Sequence, residues 1–162
     1  MIYVILYLIT IVLANLLVTL FGVRSVYFVS FFLVGFDLTC RDKLHEKWHN
    51  KGLVWKMGLL IGCGSLISYA INQSSRQIAL ASFIAFICAA LVDTLIFQIL
   101  LKKHYLIKVN GSNLFSSLVD SLIFPTIAFG SIMPLVTLGQ FLAKLLGGFL
   151  WSLVLSRKHN AK

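Results

Sequence analysis

Charge is scarce in this chain: only 12% of its 162 residues are Asp, Glu, Lys or Arg, and mean hydropathy is +0.95. Soluble domains carry about 25% charged residues. A soluble fold of this size cannot hide a chain that is 59% hydrophobic, so the solvent it implies is lipid. Cysteine is sparse as well. Cys40, Cys63 and Cys88 are odd in number and lack any ligand-like spacing, which excludes a disulfide framework and leaves them as small packing residues. No Gly-x-x-x-x-Gly-Lys-[Ser/Thr] run occurs, so no ATP-hydrolysing loop is expected. Linkers and low-complexity tracts are missing too, and one transmembrane domain is expected over residues 1–162. The first apolar run lacks a basic n-region and a small-residue cleavage site, so it reads as a span rather than a cleavable signal.

Six apolar stretches are present, at about 2–20, 25–39, 53–71, 78–101, 114–132 and 135–155. Most approach the ~20 residues that a span needs. The second is nearer ~15 and is expected to be tilted, broken or partly re-entrant. The expected fold class is therefore all-α, a polytopic membrane protein with six transmembrane helices. Ten of the 14 lysines and arginines fall at 41–51, at 102–108 and in the last residues; Arg24 and Arg76 fall in the alternate loops. By the positive-inside rule both termini are cytoplasmic, which fits a multi-pass protein of the inner (cytoplasmic) membrane. The net charge of +9 does not imply nucleic acid, because the positive residues sit at helix ends rather than on one face. Trp48, Trp55, Tyr27, Tyr105 and Trp151 occupy interface positions, and anchoring suits all of them except Trp151, where it is less certain.

Against this background three aspartates stand inside apolar spans: Asp37, Asp93 and Asp120. An ionised carboxylate at bilayer depth costs roughly 2.5–3.5 kcal/mol on the gentlest scale. Two of them lie in near-identical hexapeptides, Val92-Asp-Thr-Leu-Ile-Phe97 and Val119-Asp-Ser-Leu-Ile-Phe124. On antiparallel neighbouring helices, both would lie roughly 12–15 Å in from the cytoplasmic boundary. That suggests a local pseudo-two-fold around a polar site. The alternative is coincidence among common membrane residues.

Each acid has a supporting face. Asn113, Ser116, Ser117, Asp120 and Ser121 form a polar stripe, with Pro125 just beyond it able to kink the helix. Ala85, Ala89 and Asp93 share a face with room for a ligand or a helix. Gln140, Lys144 and Gly148 recur at four-residue spacing, and Lys144 is a natural counter-charge for one of the aspartates. Asn15 and Thr19 give the first span a smaller polar patch. Phe86, Phe97, Phe115 or Phe124 could stack on a planar ligand. Gly58-Leu-Leu-Ile-Gly62 and Gly147-Gly148 read as helix-contact seams. His45-Glu-Lys-Trp-His49 fits the zincin pattern His-Glu-x-x-His, but it lies in a basic connection without an evident third ligand, so an enzyme and a metal site are both set aside.

The run Gly35-Phe-Asp-Leu-Thr-Cys-Arg-Asp-Lys-Leu-His-Glu-Lys-Trp48, the two hexapeptides and Gly139-Gln-Phe-Leu-Ala-Lys144 together resemble the VUT family of vitamin uptake or queuosine-precursor transporters. The chain departs from many members in being short, and in lacking their Asp-x-x-x-Glu-x-Tyr-Gly pattern after the second span. The resemblance implies a six-helix inner-membrane importer of 7-deazaguanines, notably 7-cyano-7-deazaguanine (preQ0), a precursor in tRNA modification. It implies a deazapurine base as partner, and neither a cofactor nor nucleic acid. A homodimer stays open.

The residues suit such a base. One carboxylate can accept from the N1–H and the exocyclic amine of a guanine-like edge together. Asp93 and Asp120 are the expected substrate contacts, with Lys144 holding the charge near neutral and Asn15, Gln140 and Ser117 as further polar contacts. Asp37 is a further candidate, and a pair with Arg41 or a helix-end role suits it equally well. Other readings are a substrate-binding subunit of a multi-component importer and, from a different class, a structural or pore-forming membrane protein.

Overall fold

The computed structural model describes residues 2–48 and 52–157, and all regular structure among them is helical. Helix is the form that lets an apolar segment satisfy every backbone N–H and C=O within itself. The elements are α1 (Ile2–Phe21), a 3-10 turn (Gly22–Ser25), α2 (Val26–Val29), a π turn (Ser30–Val34) and α3 (Gly35–Trp48). After these come α4 (Leu53–Ile71), a second 3-10 turn (Gln73–Ser75), α5 (Arg76–Ile99), α6 (Tyr105–Phe129) and α7 (Pro134–Arg157). Four helical runs are long and apolar enough to cross a membrane: Ile2–Leu44, Gln73–Ile99, Asn110–Phe129 and Pro134–Val154. Trp55–Ile71 is a shorter apolar helix.

The run Ile2–Leu44 is not one rod. Twenty-seven residues of straight helix would separate Thr10 from Asp37 by roughly 40 Å, yet their side chains lie 3.4 Å apart. The chain reverses at Gly22, whose φ of +64° lies in the left-handed region that glycine tolerates without cost. It then returns through α2, the π turn and α3 along α1.

Several boundaries differ from the periodicity. The second stretch was expected to end near 39, in a basic connection, but α3 continues to Trp48. Its polar residues Arg41 and Asp42 are buried and bonded to α6, so the helix gains by continuing inward. The fifth stretch was expected over 114–132. Instead α6 begins at Tyr105, stays helical through Pro125 and stops at Gly130, where φ is +69°. Proline at the first position of α7 needs no hydrogen-bond donor there. His49 of the zincin-like pattern lies outside the described residues, and no described group of three His, Cys, Asp or Glu could hold a metal.

Close packing falls at glycines that periodicity ranked unevenly. A Cβ on Gly35 would lie 2.7–2.9 Å from the backbone of Gly147 and Gly148, and one on Gly147 would overlap the Phe31 carbonyl. The Gly147-Gly148 seam thus lets α7 lie directly on the π turn and the start of α3. A Cβ on Gly64, on α4, would lie 2.8 Å from Ile11 Cγ2. The Gly58–Gly62 pair splits: a Cβ on Gly58 meets nothing within 4 Å, so the helix-contact reading fails there, whereas one on Gly62 would lie 3.6 Å from the Phe83 ring of α5, and both glycines line an apolar groove between α4 and α5. Gly147→Val is accordingly expected to cost about 1–3 kcal/mol by overpacking. Gly58→Ala is expected to stay within about 0.5 kcal/mol of the parent. Melting of the two purified variants in detergent checks the contrast.

Candidate functional site

The polar residues converge where α1, the π turn, α3, α5, α6 and α7 meet. Asp93 is fully buried on α5, and Asp120 is buried on α6. The two carboxylates are held separately. Arg41 Nη2 lies 3.1 Å from Asp93 Oδ1 and also donates to Asn113 Oδ1 at 3.1 Å and Ser116 Oγ at 3.0 Å. Asn113 Nδ2 in turn donates to Asp42 Oδ2 at 3.1 Å. Lys144, fully buried on α7, pairs with Asp120 Oδ2 and donates to Ser121 Oγ at 3.2 Å. Asp93 is thus tied through Arg41 to Asn113 and Ser116 on α6, whereas Asp120 is held by Lys144 from α7, so each acid has its own cation.

Two small cavities meet at Asp120. The first is lined by Ala14, Asn15, Ser30, Ser82, Phe86, Asp120, Phe124 and Gln140 among others, with a volume of ≈ 20 Å³. The second, of ≈ 10 Å³, is lined by Tyr7, Asp37, Arg41, Phe86, Ala89, Ser117 and Asp120 among others. Each has room for about one water, while ligand pockets run to about 300–1,000 Å³. The core is thus closed around its polar groups. Four groups on the lining residues have capacity to spare: the acceptors Asp120 Oδ1 and Gln140 Oε1, the Ser117 hydroxyl and the donor Arg41 Nε are buried with no hydrogen-bond partner among the described residues. Leaving a buried polar atom unbonded costs about 1–3 kcal/mol, so such atoms mark positions meant for something else.

The fold places the other candidates unevenly. Asn15 is buried and donates to Ser68 Oγ at 3.1 Å, which ties α1 to α4 beside the first cavity. Thr19 bonds back to the Asn15 carbonyl at 2.7 Å. Asp37 is buried, with Thr10 Oγ1 3.4 Å from its Oδ1, although the one hydroxyl proton of Thr10 is shared with the nearer Leu6 and Tyr7 carbonyls. Phe86 lines both cavities and Phe124 lines one. Phe97 instead carries Lys108 over its ring at 4.6 Å, and Phe115 points outward, 49% exposed. Trp151 packs edge-on against Phe36 with ring centroids 4.9 Å apart, so it braces α3 against α7.

Sequence reasoning missed Arg41 as a core residue by counting it with the loop cations. The signal that could have found it is its i, i+4 position after Asp37, which puts both on one helical face if the helix continues. The π turn was also missed. Such turns recur at functional sites, and this one directs Ser30 and Val34 into the first cavity.

Apolar helices closed over a charged, partly unsatisfied interior make this an all-α, multi-pass membrane protein with a polar core. The chain belongs to the family described as "Putative vitamin uptake transporter", whose family model matches residues 2–156. No curated protein and no solved structure matches the chain. Membership puts it among the membrane proteins of a vitamin-uptake transporter family.

Proposed function

We propose that the chain imports a flat, donor-rich heterocycle of the 7-deazaguanine class, preQ0 being the leading candidate. The observation that carries this reading is the pair of orphan acceptors, Asp120 Oδ1 and Gln140 Oε1, on residues lining one cavity between Phe86 and Phe124. Acceptors without donors suit a ligand edge rich in N–H groups. The exocyclic amine and N1–H of a guanine-like ring supply two donors side by side. A carboxylate takes such a pair with charge-assisted strength, and aromatic side chains cover the ring faces.

In this reading Asp120, Gln140 and Ser117 contact the base, and Asn15 shapes the cavity wall. Lys144 holds Asp120 in place through their ion pair. Asp93 joins when the core opens, exchanging part of its bond to Arg41 for the ligand. Opening is required, because the closed cavities admit a water and not a purine-sized ring. Six crossings with both termini in the cytoplasm suit this scheme. The reversal at Gly22 turns the run Ile2–Leu44 into two antiparallel passes, and Trp55–Ile71 supplies another.

The test is rescue. A bacterium unable to make preQ0 and lacking its own importer is supplied with low external preQ0, and queuosine in tRNA is quantified. The chain is expected to restore queuosine. Asp120→Asn is expected to lower it at least tenfold at equal membrane abundance, since the neutral amide loses the charge-assisted bond. Full rescue by Asp120→Asn would remove Asp120 from the site. No rescue by the parent chain, shown to be in the membrane, would remove preQ0 as the substrate.

A further inference from the structure

Asp37 and Asp120 line the closed cavities, Asp93 lies across Arg41 from them, and the partners of the three carboxylates differ. Asp93 has Arg41 and Asp120 has Lys144. Asp37 has no described cation at ion-pair distance, and its one described hydrogen bond is the long one from the Thr10 hydroxyl. It is only 5% exposed. Removing an ionised carboxylate from water carries an effective penalty of several kcal/mol. One hydrogen bond to a charged group returns only about 1.5–3 kcal/mol. A proton on Asp37 removes the charge and with it most of the penalty.

An independent observation points to what connects with this group. The ≈ 10 Å³ cavity brings Asp37 together with Tyr7, Arg41, Ser117 and Asp120. Ser117 Oγ and Asp120 Oδ1, both buried, have no partner there among the described residues. The volume suits one water, and the polar groups around it are enough to bind one. That water would link the Asp37 carboxyl to the substrate-contacting carboxylate on α6. The titratable and charged groups facing Asp37 are Tyr7 on α1, Cys40 and Arg41 on α3 and Asp120 on α6, with Asp93 on α5 beyond Arg41. Lys144 on α7 lies behind Asp120. A metal ion in the same cavity would meet the Arg41 guanidinium on its wall, and no described trio of acids, histidines or cysteines is placed to hold one.

We propose that Asp37 is the proton-binding site of a proton-coupled importer, loaded from the outer side and emptied to the inner side once per cycle. The proposal rests on the transport reading above. On loading, an external hydronium donates a proton that forms the O–H bond of the Asp37 carboxylic acid. The neutral acid can pass through the closed core. On the inner side that O–H bond breaks and the proton leaves on water. The resulting carboxylate accepts from Thr10 and is drawn toward Arg41. Arg41 then has less to offer Asp93, which ties the charge on Asp37 to the state of the substrate core.

The test reconstitutes the full chain in liposomes containing a trapped pH-sensitive dye, with preQ0 as the probe. Wild type is expected to admit protons when preQ0 is added outside, and to accumulate preQ0 under an acid-outside gradient whether or not sodium is present. Asp37→Asn, which mimics the loaded acid, is expected to lose proton entry and to lower gradient-driven accumulation at least tenfold while retaining preQ0 counterflow. Asp37→Glu is expected to keep proton entry. Infrared spectroscopy supplies a readout that needs no substrate: a protonated-carboxyl C=O band near neutral pH, shifted in Asp37→Glu and absent in Asp37→Asn. Counterflow without proton entry in wild type, sodium dependence, or gradient-driven accumulation by Asp37→Asn would overturn proton coupling and leave the transport reading intact. Absence of the infrared band, or its persistence in Asp37→Asn, would overturn the assignment to Asp37. Wild type that neither exchanges preQ0 nor moves protons would remove both readings together.

Discussion

Lys144→Met is expected to unfold the protein's core before it affects anything else. Lys144 is fully buried and pairs with Asp120, itself only 4% exposed. Methionine fills a similar volume but leaves the Asp120 carboxylate without its cation. Removing one member of a buried pair costs about 3–5 kcal/mol, because the surviving acid is left buried without its partner. For a chain of this length that corresponds to a melting temperature lowered by roughly 6–20 °C. The companion Lys144→Met/Asp120→Leu variant removes both charges. It is expected to melt within a few degrees of wild type, since replacing a whole buried pair by apolar groups is often neutral. It is nevertheless expected to lose preQ0 uptake completely, because the ligand's acceptor is gone. Melting curves and uptake on the same three proteins separate the stabilising role of the pair from its role in recognition. A Lys144→Met single variant as stable as wild type would show that the core stays folded without the pair.

Arg41→Ala is expected to have an effect of similar size at the other end of the same core. One guanidinium nitrogen on α3 serves Asp93 on α5 and both Asn113 and Ser116 on α6. Alanine leaves Asp93 without that cation and both α6 side chains without that donor, at a cost of about 3–5 kcal/mol. Arg41→Lys is the more informative variant. It keeps the charge but replaces a planar fork by a strongly hydrated point charge. Lysine is expected to hold the fold, with melting within about 2 kcal/mol of wild type, while uptake falls at least tenfold because the α3–α5–α6 junction is no longer oriented. Wild-type uptake by Arg41→Lys would mean that charge alone matters at this junction.

These two expectations show how differently the parts of the site could be read. Asp93, Asp120 and Lys144 announce themselves, because an ionisable residue in an apolar run is expensive and therefore conspicuous. The polar stripe on α6 is visible for a similar reason: serines and asparagine at three- and four-residue spacing make a face. Arg41 is equally buried but stands among lysines and histidines, where one more cation carries no signal. Its role depends on α3 running on past residue 39, and helix ends are set by what the next residues find to bond. Gly58–Gly62 and Gly147-Gly148 look alike as motifs. Only packing distinguishes the first, open to a groove, from the second, pressed against Phe31 and Gly35.

By itself the sequence determined the solvent, the helical class and the chemistry of the interior. Long apolar runs admit no other backbone solution in lipid, and buried charge is too costly to be incidental. Tertiary structure alone decided who partners whom. Which cation meets which aspartate, which phenylalanines face the cavities, and which acid has no described cation at ion-pair distance all follow from the reversal at Gly22 and the packing of α5 against α6. Those are outcomes of side-chain fit between distant segments, and a one-dimensional pattern holds no record of the distance between them.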